Sequence, residues 1–186
     1  LDDSDKEVFG HIEEKLISMG NDVIPFLEDA WANAFDPVMQ QRIANIVHKI
    51  QFDNLLEDIK LWIHTGDDDL LKGAILVARY QYPELDEQKI RSVIDQMKKE
   101  IWLEMNESLT ALEQVNVLNH FFFTKYGFSG NTTNYHAPQN SYINCVIESK
   151  KGNPLALSII YLMVTRALNL PVYGVNLPEH FILTYL

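Results

Sequence analysis

The stretch KKGNPLALSIIYLMVTRALNLP, Lys150 to Pro171, decides the fold. From Gly152 to Thr165 it holds no charged residue, and Leu155, Leu157, Ile159, Ile160, Leu162, Met163 and Val164 put apolar groups on every face. A helix that is apolar all round is either a core helix or a membrane span. The 14 residues from Gly152 to Thr165 fall short of the ~20 that a bilayer requires. Its ends are marked as well. Gly152 suits a left-handed end to the preceding helix, Asn153 an N-cap and Pro154 the first helical position, where no N–H is needed. Asn169 and Pro171 close the helix. The expectation is a central helix enclosed by the rest of its domain.

Around that helix the chain alternates helices with two late strands. Downstream, VYGVNL is β-branched and aromatic, Pro178-Glu179 turns the chain, and HFILTYL forms a second strand. In the second strand His180, Ile182, Thr184 and Leu186 share one face, and Phe181, Leu183 and Tyr185 the other. Upstream, NSYINCVIESKKG is a short helix with Asn140 or Ser141 as its expected cap. The polar loop Ser129–Gln139 precedes it. Thr110-Ala111-Leu112-Glu113 has the form of a capping box and opens a helix ending in HFFFTKYGF. Its three phenylalanines cannot all face one side and are expected in the core and between helices. Asp86 caps a long helix through Ile90, Val93, Ile94, Met97 and Ile101. LLKGAILVARYQYPELD, from Leu70, forms another.

The boundary is placed at Thr65-Gly66-Asp67-Asp68-Asp69. Before it, four amphipathic helices are expected: residues 5–18, a second through Ile24, Leu27 and Trp31, a third opening at Asp36-Pro37 and running through Ile50, and a fourth over 52–63. Paired helices of this kind resemble HEAT or armadillo hairpins, and an ordinary helical subdomain fits the same spacing. A single pair cannot bury its apolar face alone and must stack on the next helices of the chain. The fold class is thus mostly α, α+β, with helical hairpins over residues 1–64 and a second domain over 65–186.

Composition narrows the function. The chain of 186 residues is 47% apolar, ample for a core, and carries a formal charge of −11 with a pI near 4.9. That charge argues against nucleic acid and anionic membranes, both of which select basic surfaces. One cysteine, Cys145, excludes an intrachain disulfide and favours a reducing, cytoplasmic setting, although the first residue is Leu and a processed leader is compatible with that. The histidines lack metal-ligand spacing, and Asp67-Asp68-Asp69 lacks the glycine and glutamate of a calcium loop. With no glycine-rich phosphate loop, no metal and no cofactor are expected.

The blocks LLKGAILVARYQYPELD, KYGFSGN, NSYINCVIESKKGNPLALSIIYL and GVNLPEHFILTY, in this order, resemble the SirB-type subfamily of the transglutaminase-like, papain-fold superfamily, a module also found in some F-box proteins. The resemblance runs from Leu70 to Leu186. It implies a buried helix packed on an antiparallel sheet, with a cysteine two residues after the glycine at the helix start. That position is Pro154. It also implies a sheet histidine facing the helix start, here His180, preceded by Glu179 where glycine is common. The acid of the triad would fall beyond Leu186.

The chemistry of such a site needs a thiol held as thiolate by the helix N-terminus and a histidine to move its proton. Pro154 supplies neither thiol nor hydroxyl. Cys145 lies nine residues earlier and is expected as an inert buried thiol, and Ser158 sits one turn into the helix. Two functions compete, beside a third that takes the groove at Asn153 and His180 as a small-anion or peptide-terminus site. In the first, the chain is a non-catalytic binding or regulatory domain with a protein or peptide partner, its ligand groove formed by Asn153, His180, Asn140 and Ser141. In the second, Cys145 and His180 form a cysteine-class amide hydrolase or acyl transferase.

Overall fold

The structure, a computed structural model, describes residues 5–66, 69–106, 108–178 and 180–186. The chain divides into two compact units, Leu1–Asp67 and Asp68–Leu186.

In the first unit α1 (Lys6–Ser18) starts where the Asp5 carboxylate accepts the Glu7 amide at 2.8 Å. A 3₁₀ turn, Gly20–Val23, leads into α2 (Ile24–Asn33). Asp36 caps α3 through the Val38 amide at 3.0 Å, and Pro37 occupies its first position. α3 then runs unbroken from Pro37 to Thr65 and ends at Gly66 in the left-handed region, φ 61°. The third and fourth helices expected from the sequence are therefore one. No glycine or proline interrupts residues 38–65, and the Lys49–Asp53 pair at 3.5 Å bridges the expected break. Among the described residues three α-helices replace the two antiparallel pairs. Val23, Leu27, Ile43, Ile46 and Ile50 form their common core.

The second unit opens with α4 (Leu70–Arg79), capped by Asp69, whose carboxylate accepts the Leu71 and Lys72 amides at 3.0 and 3.1 Å. Asp67 and Asp68, the rest of the aspartate run, lie outside the described residues. Asp86 caps α5 (Glu87–Glu104), and the Thr110/Glu113 capping box opens α6 (Ala111–Asn119). α6 continues into a π-helical turn, His120–Lys125. After the two-residue strand β1 (Ser129–Gly130) come a 3₁₀ turn (Pro138–Ser141), α7 (Ile143–Ser149) and β2 (Lys151–Gly152), which pairs parallel with β1. α8 (Pro154–Ala167) is next, then the antiparallel hairpin β3 (Val172–Leu177) and β4 (His180–Tyr185).

α8 is the hub. α4, α5, α7 and both hairpin strands pack against it. Ile160 and Val164 are buried, and Thr165 is satisfied by donating to the Leu162 carbonyl at 3.2 Å. Enclosure is complete from Ile160 to Thr165 but not at the start: Leu155 is 48% exposed and Leu157 half-buried. The expected fully enclosed helix is thus open over its first turn. From the hairpin, Phe181, Leu183 and Tyr185 pack on the same core, and the Tyr185 hydroxyl donates to Gln114 Oε1 at 2.7 Å.

Two expected helix ends are corrected. Lys150, not Gly152, takes the left-handed position after α7, φ 59°. Gly152 is required for closeness instead, since a Cβ there would lie 2.9 Å from Val146 Cγ1. At the other end Tyr142 holds the N-cap position of α7 without a side-chain bond, and Asn140 and Ser141 belong to the preceding turn.

Candidate functional site

A cavity of about 350 Å³ opens at the amino end of α8. The π-helical turn contributes Phe122 and Phe123, and the loop after β1 contributes Asn131, Thr132 and Tyr135. Leu157, Ser158 and Tyr161 come from α8, and Leu183 from β4. Gly130 and Gly152, side by side in the β1–β2 pair, form a wall without side chains, and Pro154 lines the cavity beside them. Among the described residues the lining carries no carboxylate, ammonium, guanidinium or imidazole.

The π-helical turn makes the aromatic wall. An i→i+5 turn rotates each following residue relative to an α-helix, and such turns recur at functional sites. Here it buries Phe121 and Phe122 while leaving Phe123 half outside. Phe122 stacks on Phe128 at 4.6 Å and meets Tyr161 edge-on at 5.2 Å. Behind the turn, Lys125 pairs with Glu100 at 2.9 Å and lies 4.5 Å from the Phe121 ring centroid. Hydrogen bonds from Gln96, Lys125 and Tyr126 hold the Glu100 carboxyl down to about 2. Burial, with Glu100 as hydrogen-bond partner, pushes the Tyr126 phenol up to about 12.

The helix start is already occupied by its own chain. Asn153 Oδ1 accepts the Ala156 amide at 2.8 Å, the Leu157 amide donates to the Asn153 carbonyl at 3.1 Å, and Pro154 has no N–H. The donors that could steady an anion at this terminus are reduced to the Leu155 amide.

The structure brings Asn140, Ser141 and Asn153 together, as a brace. Asn153 Nδ2 donates to Ser141 Oγ at 2.8 Å, and the Asn153 amide to the Asn140 carbonyl at 2.9 Å. Asn140, only 4% exposed, donates to the Asn134 and Tyr135 carbonyls at 2.8 and 2.9 Å and accepts from Asn131 at 2.9 Å. These bonds hold the Asn131–Tyr135 wall onto α8. None of the three braced residues lines the cavity, whereas Pro154 beside them does.

His180 does not join them. It is exposed, on the β4 face opposite Phe181, Leu183 and Tyr185, and is not part of the cavity lining. The core claims the three larger side chains, and strand alternation sends His180 the other way. Glu179, which precedes it, lies outside the described residues. Cys145 is half-buried and lies beside the Tyr82 phenol, whose ionisation the thiol opposes. Cys145 stands on α7, which packs against α4, α5 and α8, whereas His180, its partner in the second reading, lies on the outer face of β4. Ser158 lines the cavity with no hydrogen-bond partner among the described residues, and no base stands beside it. The phenylalanine run was the one sequence signal for this cavity. Its role depends on a π turn that residue spacing does not reveal.

Among the described residues no three His, Cys, Asp or Glu side chains converge as metal ligands, and no helix is long and apolar enough to cross a membrane.

Residues 88–186 match the family described as the transglutaminase-like superfamily, and the chain belongs to it. It is 38% identical over 130 residues to a UPF0162 protein of Xylella fastidiosa (strain Temecula1), covering 67% of this chain and 46% of that one. To the mouse F-box only protein 21 it is 24% identical over 164 residues, covering 75% of this chain and 26% of that protein. The chain thus spans less than half the length of these relatives. No solved structure matches it.

Proposed function

We propose that this chain is a non-catalytic transglutaminase-like domain of the SirB type that binds an apolar segment of a protein or peptide partner at the amino end of α8. The observation that carries this is the cavity itself. It is large enough for two side chains, walled by aromatics, without an ionisable catalytic group among its described lining residues, and set where the family resemblance puts proline in place of the nucleophile. Acyl transfer needs a nucleophile, a base and donors for the oxyanion. Ser158 and one free amide do not make that set. Binding needs only the concave apolar wall and a few polar anchors, here the Ser158 and Thr132 hydroxyls. The lone cysteine and acidic charge fit a cytoplasmic setting.

The test is a titration of the whole chain with N-acetylated, C-amidated apolar dipeptides, followed by the methyl signals of Leu157 and Leu183. Saturable shifts without product release, abolished by Ser158→Phe, are the expected result. Hydrolysis of any of these amides that Cys145→Ser removes would sink the proposal.

A further inference from the structure

The charge of the chain is not shared evenly. Residues 1–67 hold 14 acidic and five basic residues, net −9, whereas residues 68–186 hold 12 and ten, net −2. Within the first unit the asymmetry sharpens. From Leu16 to Gln41 there are four carboxylates, Asp22, Glu28, Asp29 and Asp36, and no lysine or arginine. The cations that come after are engaged locally: Arg42 lies over the Phe9 ring at 4.5 Å, Lys49 pairs with Asp53 at 3.5 Å, and Lys60 with Glu57 at 2.7 Å.

From that stretch Glu28 and Trp31 line one side of a groove between α2 and α3. The groove has a volume of about 240 Å³, with an apolar floor of Ile43, Ala44 and Val47 and with Glu28, Trp31 and His48 at its sides. Trp31 is 47% exposed, so its ring is open to a partner at the rim. Half-exposed tryptophan over a small apolar pocket is the residue type that anchors protein contacts.

We infer that this groove docks a lysine- or arginine-rich segment of a partner protein, one large apolar side chain of the segment lying against Trp31 and its cations meeting Glu28 and the acidic surface of this unit. Size and charge select this occupant. Small-molecule pockets run to ~300–1,000 Å³, and this one is smaller, a match for one or two side chains. A second copy of the chain would bring a like-charged face onto this one, which opposes association. A nucleic acid meets the same repulsion. The inference is independent of the α8 cavity.

Short random segments displayed on phage and selected on the whole chain provide the test, with counter-selection on Ala44→Arg. Ala44 is exposed, so that change fills the groove and adds a cation without disturbing the core. The expected survivors are rich in Lys and Arg around one or two large apolar residues. They bind about tenfold or more weakly to Ala44→Arg and to Trp31→Ala, and lose affinity as salt rises. Ser158→Phe leaves them unaffected. The inference is overturned if no selected segment distinguishes Ala44→Arg from the natural chain, or if the discriminating segments are acidic or uncharged. It also fails if Ala44→Arg turns a dimer of the natural chain into a monomer.

Discussion

Asn153 Oδ1 receives the Ala156 amide at 2.8 Å and so fills the place at the start of α8 where an anion would otherwise be bound. With proline as the next residue, the terminus keeps its positive end but has few donors to hold a ligand with. Losing this cap in Asn153→Ala should cost about 1 kcal/mol, within the usual range for such caps. Urea unfolding measures it. An unchanged midpoint would mean that the cap bond contributes nothing.

Pro154→Cys, made in a Cys145→Ser background, places one thiol at the first position of α8. The helix start stabilises a thiolate there, and position 154 is exposed to reagent. The thiol should react with iodoacetamide several-fold faster at neutral pH than free cysteine. His180 lies on the outer face of β4, so adding His180→Ala should leave the rate where it was. A fall in rate on that substitution would mean that the imidazole reaches the helix start after all.

Asn140 is the brace of the cavity wall, with three side-chain hydrogen bonds and almost no exposure. Asn140→Leu leaves two backbone carbonyls and Asn131 without their partner. Each such loss costs about 1–3 kcal/mol when the group stays buried. The variant should be destabilised by a few kcal/mol, and amide exchange should rise over residues 131–137 before the rest of the unit. Uniform loss of protection would show that the brace acts on the whole unit and not on the wall.

How much of this was legible in the sequence depended on whether one residue type had one use. Asn153-Pro154 as cap and first turn, the Thr110/Glu113 box and the strand pair after Pro171 were all readable, because those residues have few other roles. Gly152 was not. Glycine after a helix suits both a left-handed end and a close approach, and the letter is the same for both. Alternation grouped His180 with Ile182, Thr184 and Leu186, yet both faces of β4 are apolar enough to be the inner one. The family resemblance turned His180 inward, and packing of Phe181 and Tyr185 turned it out. The merger of two expected helices into α3 had no signal beyond the absence of a breaker. A groove at the start of α8 was legible, but its lining was not, because a π turn and a loop, not a helix face, supply much of its wall.

Stability should also carry the mark of Glu100. Its folded value of about 2 lies below the ordinary 4.5, owing to hydrogen bonds from Gln96, Lys125 and Tyr126. A depressed carboxyl contributes stability that is present above the unfolded value and lost as pH falls towards the folded one. The gap in urea midpoint between the natural chain and Glu100→Gln should therefore be widest near pH 7 and shrink between pH 4.5 and about 2. A gap independent of pH over that window would mean that the carboxylate is not held by its charge.

Gly152 and Val146 make the last test, because the fit between them fixes where α8 begins relative to α7. A Cβ at position 152 would stand 2.9 and 3.1 Å from the two Val146 methyls and 3.2 Å from Leu157 Cγ. Val146 is wholly buried and has no room to turn away. Overpacking of this kind costs about 1–3 kcal/mol, so Gly152→Ala should lower stability by that much. Gly130, its partner across the β1–β2 pair, meets nothing within 4 Å of an added Cβ, and Gly130→Ala should escape that clash. Val146→Ala removes the two nearer methyls and leaves the Leu157 Cγ contact at 3.2 Å, so Gly152→Ala should cost less in a Val146→Ala background than in the natural chain. Simple additivity of the two losses would show instead that the space left to Val146 is not what the glycine at 152 is required for.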